Sequence, residues 1–242
     1  MGAERESVIA GAVDLTMDAH VHTGFAAGRD SVGVVVSAAD RAGLTAVTFA
    51  DQVGPDTGWL PAYADAVRRA RRRTELTLRI AAVVEVVGPD GWLAWPADLG
   101  QLEAVSVAVS RLPHADGPLS PREVRALLST GELAADQVVD IVATATVQGI
   151  ERASRYAPTQ LARPLSLLSH VGLDDAAITA GILDSLTAAC RTTGTAVEIS
   201  EAWRTPSPAV VARLRETGVP LVAASDARYA AEVGQWQYLR RV

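Results

Sequence analysis

One cysteine, Cys190, is all that this chain of 242 residues contains. That excludes an internal disulfide framework and a cysteine-rich zinc site. Cys190 also falls in a helical pattern with Ile182, Leu186 and Ala189, which marks it for packing rather than for nucleophilic chemistry. No uninterrupted apolar run is long enough to span a bilayer. Residues 1–11 carry mixed charges and no long apolar stretch, so no signal peptide is expected and the chain reads as cytoplasmic. Positive charge is not in excess either. The formal net charge is −6, which argues against a general nucleic-acid or membrane-surface binder and leaves a small molecule as the expected partner. There is no internal repeat, no low-complexity tract, no linker, and no glycine-rich phosphate loop after the first apolar run.

What is present is a core-forming composition, 49% hydrophobic and 21% charged, in a chain of ordinary length for one α/β barrel. Short apolar runs alternate with helical patterns. Strands are expected at 15–20, 44–50, 78–87, 104–109, 165–169, 196–200 and 219–224. Helices are expected at 32–42, 59–73, 134–156, 174–193 and 208–217. A further helix begins at Ser120, with Pro121 in its first position and Glu123 three residues after the cap. A small hairpin through 92–95 follows the turn at 88–91. Near-continuous apolar strands alternating with helices mean a parallel sheet. Seven such units in one domain, residues 1–242, point to a closed or nearly closed barrel. An open doubly wound sheet is the alternative.

The chemistry-bearing residues fall where the strands end. Met17-Asp18-Ala19-His20-Val21-His22 closes the first strand, and alternation puts Asp18, His20 and His22 on one face. Two imidazoles there can hold a metal ion, with the carboxylate behind them able to orient a ring. Asp51 ends the second strand, Glu85 lies on the third, Ser110 ends the fourth, His170 the fifth, Glu198 lies on the sixth and Asp226 ends the seventh. The C-terminal strand ends of a barrel form its active-site rim. A carboxylate–imidazole cluster in that place suits Zn²⁺, Mn²⁺ or Fe and the activation of water against an ester-type bond.

These motifs resemble the PHP (polymerase and histidinol phosphatase) family over about residues 14–229. Asp18-Ala19-His20-Val21-His22-Thr23 is similar to its first motif, Thr48-Phe49-Ala50-Asp51-Gln52 to its second, and Glu85 to its bridging glutamate. Ser169-His170-Val171-Gly172 resembles the histidine-bearing fifth-strand motif, Val197-Glu198-Ile199-Ser200 the Glu-Ile-Asn segment, and Ala224-Ser225-Asp226-Ala227-Arg228 the last. The resemblance implies a distorted (β/α)7 TIM-like barrel and a metal-dependent phosphoesterase. Gln52, Ser110 and Arg228 stand where that family usually has histidines. The implied set is therefore His20, His22, Glu85 and Asp226 around a principal ion, with Asp51 and His170 binding a second or shaping the pocket. One or two divalent ions are expected rather than three.

Asp51, His170 and Arg228 are the residues assigned to catalysis. A permanently charged guanidinium at Arg228 repels a neighbouring cation and can instead neutralise a phosphate or carboxylate. Arg204 is a further candidate substrate contact. His114 is a candidate ligand or general acid from the loop after the fourth strand. The run Arg68, Arg69, Arg71, Arg72 and Arg73 reads as a solvated helix end. Trp92 and Trp95 read as hairpin packing. The leading expectation is a hydrolase acting on a phosphorylated small molecule. The alternatives are a lyase, cyclase or non-phosphoester hydrolase using one metal, or a barrel that binds a ligand without catalysis. No part in DNA replication is expected.

Overall fold

A computed structural model describes residues 13–242; the expectation for residues 1–11 lies outside them. Seven strands form one parallel sheet in chain order: β1 (Met17–Val21), β2 (Ala46–Val53), β3 (Thr77–Glu85), β4 (Ala104–Ala108), β5 (Thr159–Leu161), β6 (Ala196–Ser200) and β7 (Leu221–Ala224). The last strand returns to the first. Asp226 N donates to His20 O and His22 N to Ala227 O, both at 2.9 Å, and Val21 and Ala227 make a parallel bridge. The sheet is thus a nearly closed barrel of (β/α)7 type, and the open doubly wound alternative is excluded.

Alternation along the strands divides two environments. Val105 and Val107 of β4, Ile80, Ala82 and Val84 of β3, and Val197 and Ile199 of β6 join the large outer core. The helices α1 (Val32–Arg41), α2 (Leu60–Arg71), α3 (Pro121–Thr130), α4 (Ala135–Ala153), α6 (Ala180–Thr193) and α7 (Pro208–Thr217) contribute their apolar faces to that core. The opposite strand face carries small residues. Ala50, Ala81, Val83, Ala104, Ala108 and Ala162 form a separate buried cluster. Barrel diameter grows with strand number, so seven strands leave little interior room. Alanine, and the polar Ser106, Gln160 and Glu198, fill it. This is why the interior carries a hydrogen-bond network instead of the bulky branched layers usual in larger barrels.

The helix signals read as expected except over 174–193, where a 3-10 turn at Asp175–Ala177 comes first and α6 starts at Ala180 behind its cap, Thr179. Ser120 and Glu123 form a reciprocal capping box on α3, which ends at Gly131 in the left-handed conformation. The arginine-rich end of α2 is spread over partners: Arg68 meets Asp65 at 3.2 Å and Arg71 forks onto Glu103. The 92–95 hairpin is a single bridge, Val86 to Leu93, with Val87 N donating to Trp92 O at 2.7 Å. Trp95 packs on Tyr156 with ring centroids 5.3 Å apart, on the outside of the barrel. Helix α4 lies close to the sheet because Gly149 has no side chain: a Cβ there meets Val86 Cγ2 at 2.7 Å.

One strand is elsewhere than expected. Residues 165–169 do not form the fifth strand; Leu165 takes φ +64° and Ser166–His170 make a short helix, α5. The fifth strand is the three-residue β5, which pairs Val105 with Thr159 and Leu161 with Val197. Leu167 and Leu168 are apolar because they are buried in a helical turn, and a run that short has no period to separate helix from strand. Among the described residues, no helix is long and apolar enough to cross a membrane.

Candidate active site

The Cα register of β1 against β2 shifts between Asp18 and Val21. This irregularity redirects the end of the strand, and it brings the His20 and His22 rings together with centroids 4.8 Å apart. Both are buried. Asp18 is buried too, but it touches no imidazole. Its Oδ1 accepts from Ser225 N at 2.9 Å and its Oδ2 from Gly234 N at 3.3 Å. It ties β1 to β7 and to the C-terminal segment, and burial raises its pKa to about 6 against those backbone bonds.

The carboxylate that orients an imidazole comes from β6, two strands from β1 through the closure at β7. Glu198 on β6 bonds His20 Nδ1 at 2.9 Å through Oε1 and 3.1 Å through Oε2. Glu198 is itself held by Gln160 Nε2 at 2.6 Å and by Arg163 N at 3.2 Å. Gln160 Nε2 also lies 2.9 Å from Ser106 Oγ and 2.8 Å from Ala19 O. A carboxylate at Nδ1 keeps the proton there and turns the lone pair of Nε2 outward, the arrangement of a metal-ligating histidine. His20 Nε2 is buried with no hydrogen-bond partner.

Asp226 follows β7 at φ +54°, a strained backbone for a residue with a side chain. Its Oδ1 bonds His22 Nε2 at 2.8 Å, and its Oδ2 has no hydrogen-bond partner. Burial works to raise this carboxyl, but His20, His22 and Arg163 hold it well below the usual range. Burial likewise works against charge on His20, yet Glu198 and Asp226 raise its pKa. Ligand atoms from His20, His22 and Asp226 all lie within 4.8 Å of one another.

Seven buried side-chain atoms lack a partner among the described residues. Six belong to this region: His20 Nε2, His22 Nδ1, Glu85 Oε2, Asp226 Oδ2, and Nε and Nη2 of Arg163. Buried polar groups are otherwise satisfied as a rule, so this concentration marks a place built for something else to bind. Two imidazoles and carboxylate oxygens form a donor set that fits a divalent ion such as Zn²⁺ or Mn²⁺. Glu85, the expected fourth donor, lies buried on β3 outside that three-residue cluster. Its Oε1 accepts from Ser110 N, its Oε2 is free, and burial raises its pKa.

The remaining candidates are placed as follows. Asp51 gives both oxygens to Thr23, Oδ1 to its N at 2.9 Å and Oδ2 to its hydroxyl, and Oδ1 stands 3.7 Å from His22 Nδ1. It braces the turn after β1. That turn also folds hard against the strand end at Gly28, where a Cβ meets His22 C at 2.7 Å. His170 is exposed at the end of α5 rather than at a strand end. Its ring lies 4.8 Å from that of Trp203. Arg204 and Arg228 are exposed and line an open groove of about 770 Å³ with His170, Trp203 and Asp226. His114 turns to its own loop, where Nδ1 accepts from Asp116 N at 3.3 Å. Gln52 is exposed.

Sequence reasoning passed over Arg163. It lies two residues past the short β5, which falls between the expected helix at 134–156 and the expected strand at 165–169. The only signal was a cation before a proline, two residues after the end of a three-residue strand.

No family model matches the chain, and no curated protein matches it. A candidate histidinol phosphatase, hisK from Listeria monocytogenes, is similar in structure, with a TM-score of 0.66 and 12% sequence identity over 90% of this chain and 97% of that one. At that identity the likeness is one of fold. An HpcH/HpaI aldolase from Desulfitobacterium hafniense DCB-2 aligns with a TM-score of 0.39 and 12% identity over 86% of this chain and 85% of that one, too distant to carry an argument.

Proposed function

We propose that this chain is a metal-dependent hydrolase of the PHP type that cleaves a phosphoester of an anionic small molecule. The observation that carries the reading is His20. Its Nδ1 is fixed by Glu198 while its Nε2 is buried and bare beside the unpartnered Oδ2 of Asp226. His20, His22 and Asp226 hold one divalent ion, with Glu85 as a further donor. When bound, the ion supplies Lewis acidity to a phosphoryl oxygen and lowers the pKa of a water. The protein's own groups do the rest. Glu198 and Gln160 fix the ligand ring, Asp51 and Thr23 hold the turn that carries His22, and Arg204 and Arg228 attract the anion into the groove above Asp226. Asp51 has both oxygens engaged and His170 is exposed, which favours one ion over two. The fold shared with the Listeria protein agrees with this chemistry. We read residues 1–242 as one domain acting in the cytoplasm.

Arginine forks also pair with carboxylates, which supports a second reading: a lyase, cyclase, or amide or lactone hydrolase on the same metal. Both readings meet one experiment. The protein is loaded with Zn²⁺ or Mn²⁺ and assayed against a panel of phosphomonoesters and phosphodiesters beside lactones and amides, together with His20→Ala. Phosphoester turnover that disappears in a folded His20→Ala supports the first reading. Turnover confined to non-phosphorylated substrates contradicts it in favour of the second.

A further inference from the structure

The chain contains no lysine, so every fixed side-chain cation is an arginine, and one arginine differs from those at the rim. Arg163 is only 5% exposed. It sits at φ +47°, a left-handed conformation that a non-glycine residue keeps only when its surroundings enforce it. Its N–H is tied to Glu198 Oε2, so its backbone belongs to the network that orients His20. Its guanidinium lies 5.4 Å from the ring of Trp203, over one face. That contact leaves the planar edge, with its hydrogen-bond donors, free to point elsewhere.

Among the described residues, nothing accepts a hydrogen bond from two of those nitrogens. Nε and Nη2 are both buried without a partner. Asp226 Oδ2 is 3.8 Å from Nε, near enough to feel the charge but too far for a hydrogen bond. Glu85 and His20 feel it as well. A guanidinium needs its hydrogen bonds made when it leaves water, and its fork matches the spacing of two oxygens on one phosphorus or carbon. Stacked on an aromatic ring and held to Asp226 only by a long ion pair, with Nε and Nη2 making no hydrogen bond, Arg163 is pre-positioned for an anion arriving beside His20 and Asp226.

We propose that Arg163 is the anion-binding residue of the barrel mouth, taking two oxygens of the substrate's phosphoryl group through Nε and Nη2, while Arg204 and Arg228 act only as exposed attractors. This deepens the phosphoester reading and rests on it for the identity of the anion.

The test is binding of inorganic phosphate to the full chain, by calorimetry and by thermal shift at matched ionic strength. The wild type is compared with Arg163→Gln, Arg163→Lys and Arg228→Gln, and metal content is measured on the same samples. Loss of a buried partner for a charged group predicts that phosphate binding weakens about 30-fold or more in Arg163→Gln. Arg163→Lys, which keeps the charge without the fork, falls between. Loss of the rim charge in Arg228→Gln weakens binding less than about fivefold. If Arg163→Gln does not fold, Arg163→Lys decides: unchanged phosphate affinity in either folded variant overturns the proposal, as does a wild type that binds no phosphate. The two readings fail separately. Arg163-dependent phosphate binding without phosphoester hydrolysis keeps the anion site and removes the hydrolase. Hydrolysis with Arg163-independent phosphate binding does the reverse.

Discussion

Glu198 and His20 meet across the interior of the barrel at 2.9 Å, and the far nitrogen of the same imidazole is buried without a partner. One bond therefore sets the ring's tautomer, its orientation and the direction of its free lone pair. It also links the first strand to the sixth through a residue that a local reading of the His20–His22 motif does not contain. On the proposed metal site, Glu198 would act as a positioning residue through His20. Substituting it by glutamine replaces a charged acceptor with a neutral amide that adds a donor beside the donor of Gln160. Metal affinity is expected to fall by about 10- to 100-fold, measured by chelator competition, with the melting transition still cooperative. Unchanged affinity would show that the ring needs no carboxylate behind it.

Thr23 and Asp51 test the division between ligand and brace. Thr23→Val removes the hydroxyl that bonds Asp51 Oδ2 and leaves a buried carboxylate oxygen without that donor. The expected cost is about 1–3 kcal/mol, or a fall of several degrees in melting temperature at roughly 2–4 °C per kcal/mol. Metal content per chain should not change. A folded Thr23→Val that loses its metal would make Asp51 a ligand rather than a brace.

Cys190 is expected to be inert. It is fully buried in α6, and desolvation pushes its thiol up to about 12, so almost no thiolate exists at neutral pH. A disulfide reagent such as dithionitrobenzoate should label none of the native protein within the time that labels one thiol in denaturant. Rapid native labelling would mean that α6 opens.

A pH effect of known sign is carried by Glu103. Its hydrogen bonds from Arg71 come first among the causes that lower its pKa below the ordinary 4.5, and it also accepts from Ile80 N at 2.9 Å. A carboxyl lowered in the folded state stabilises above its unfolded pKa, and that contribution is lost as pH falls through the folded value. The pair is partly exposed, so its worth is screened to below about 1 kcal/mol. The melting temperature of Glu103→Gln should lie slightly below that of the wild type at pH 7. The gap should close under acid conditions below the usual carboxylate range. A gap that persists there would assign the effect to packing.

The barrel was legible because its strands are near-continuous apolar runs separated by capped helices, and six of the seven fell close to where the pattern put them. The fifth was not. Thr159, Gln160 and Leu161 are too few to show a period, and the polar Gln160 faces an interior that is itself polar. The more apolar 165–169 run looked like a strand while being a buried helical turn. With β5 ending at Leu161, it is Arg163 that comes beside Asp226, while His170 ends a short helix instead of a strand. Asp18 was expected to orient a ring because alternation puts it on the face of His20. The register shift in β1 and the return of β7 instead give its oxygens to backbone N–H groups. Glu198 stood at a recognised strand position, but its pairing with His20 depends on closure of the barrel, 178 residues away in sequence. Contacts across a closed sheet have no local signature.

The mouth of this barrel is proposed to hold a metal ion on His20, His22 and Asp226. Metal content per chain, measured by mass spectrometry on protein purified without chelators and after incubation with Zn²⁺ or Mn²⁺, tests it most directly. About one ion per chain is predicted for a single site of this donor set, lost in His20→Ala that remains folded by circular dichroism. A folded wild type that takes up neither ion, or a His20→Ala that keeps its full complement, would contradict the account.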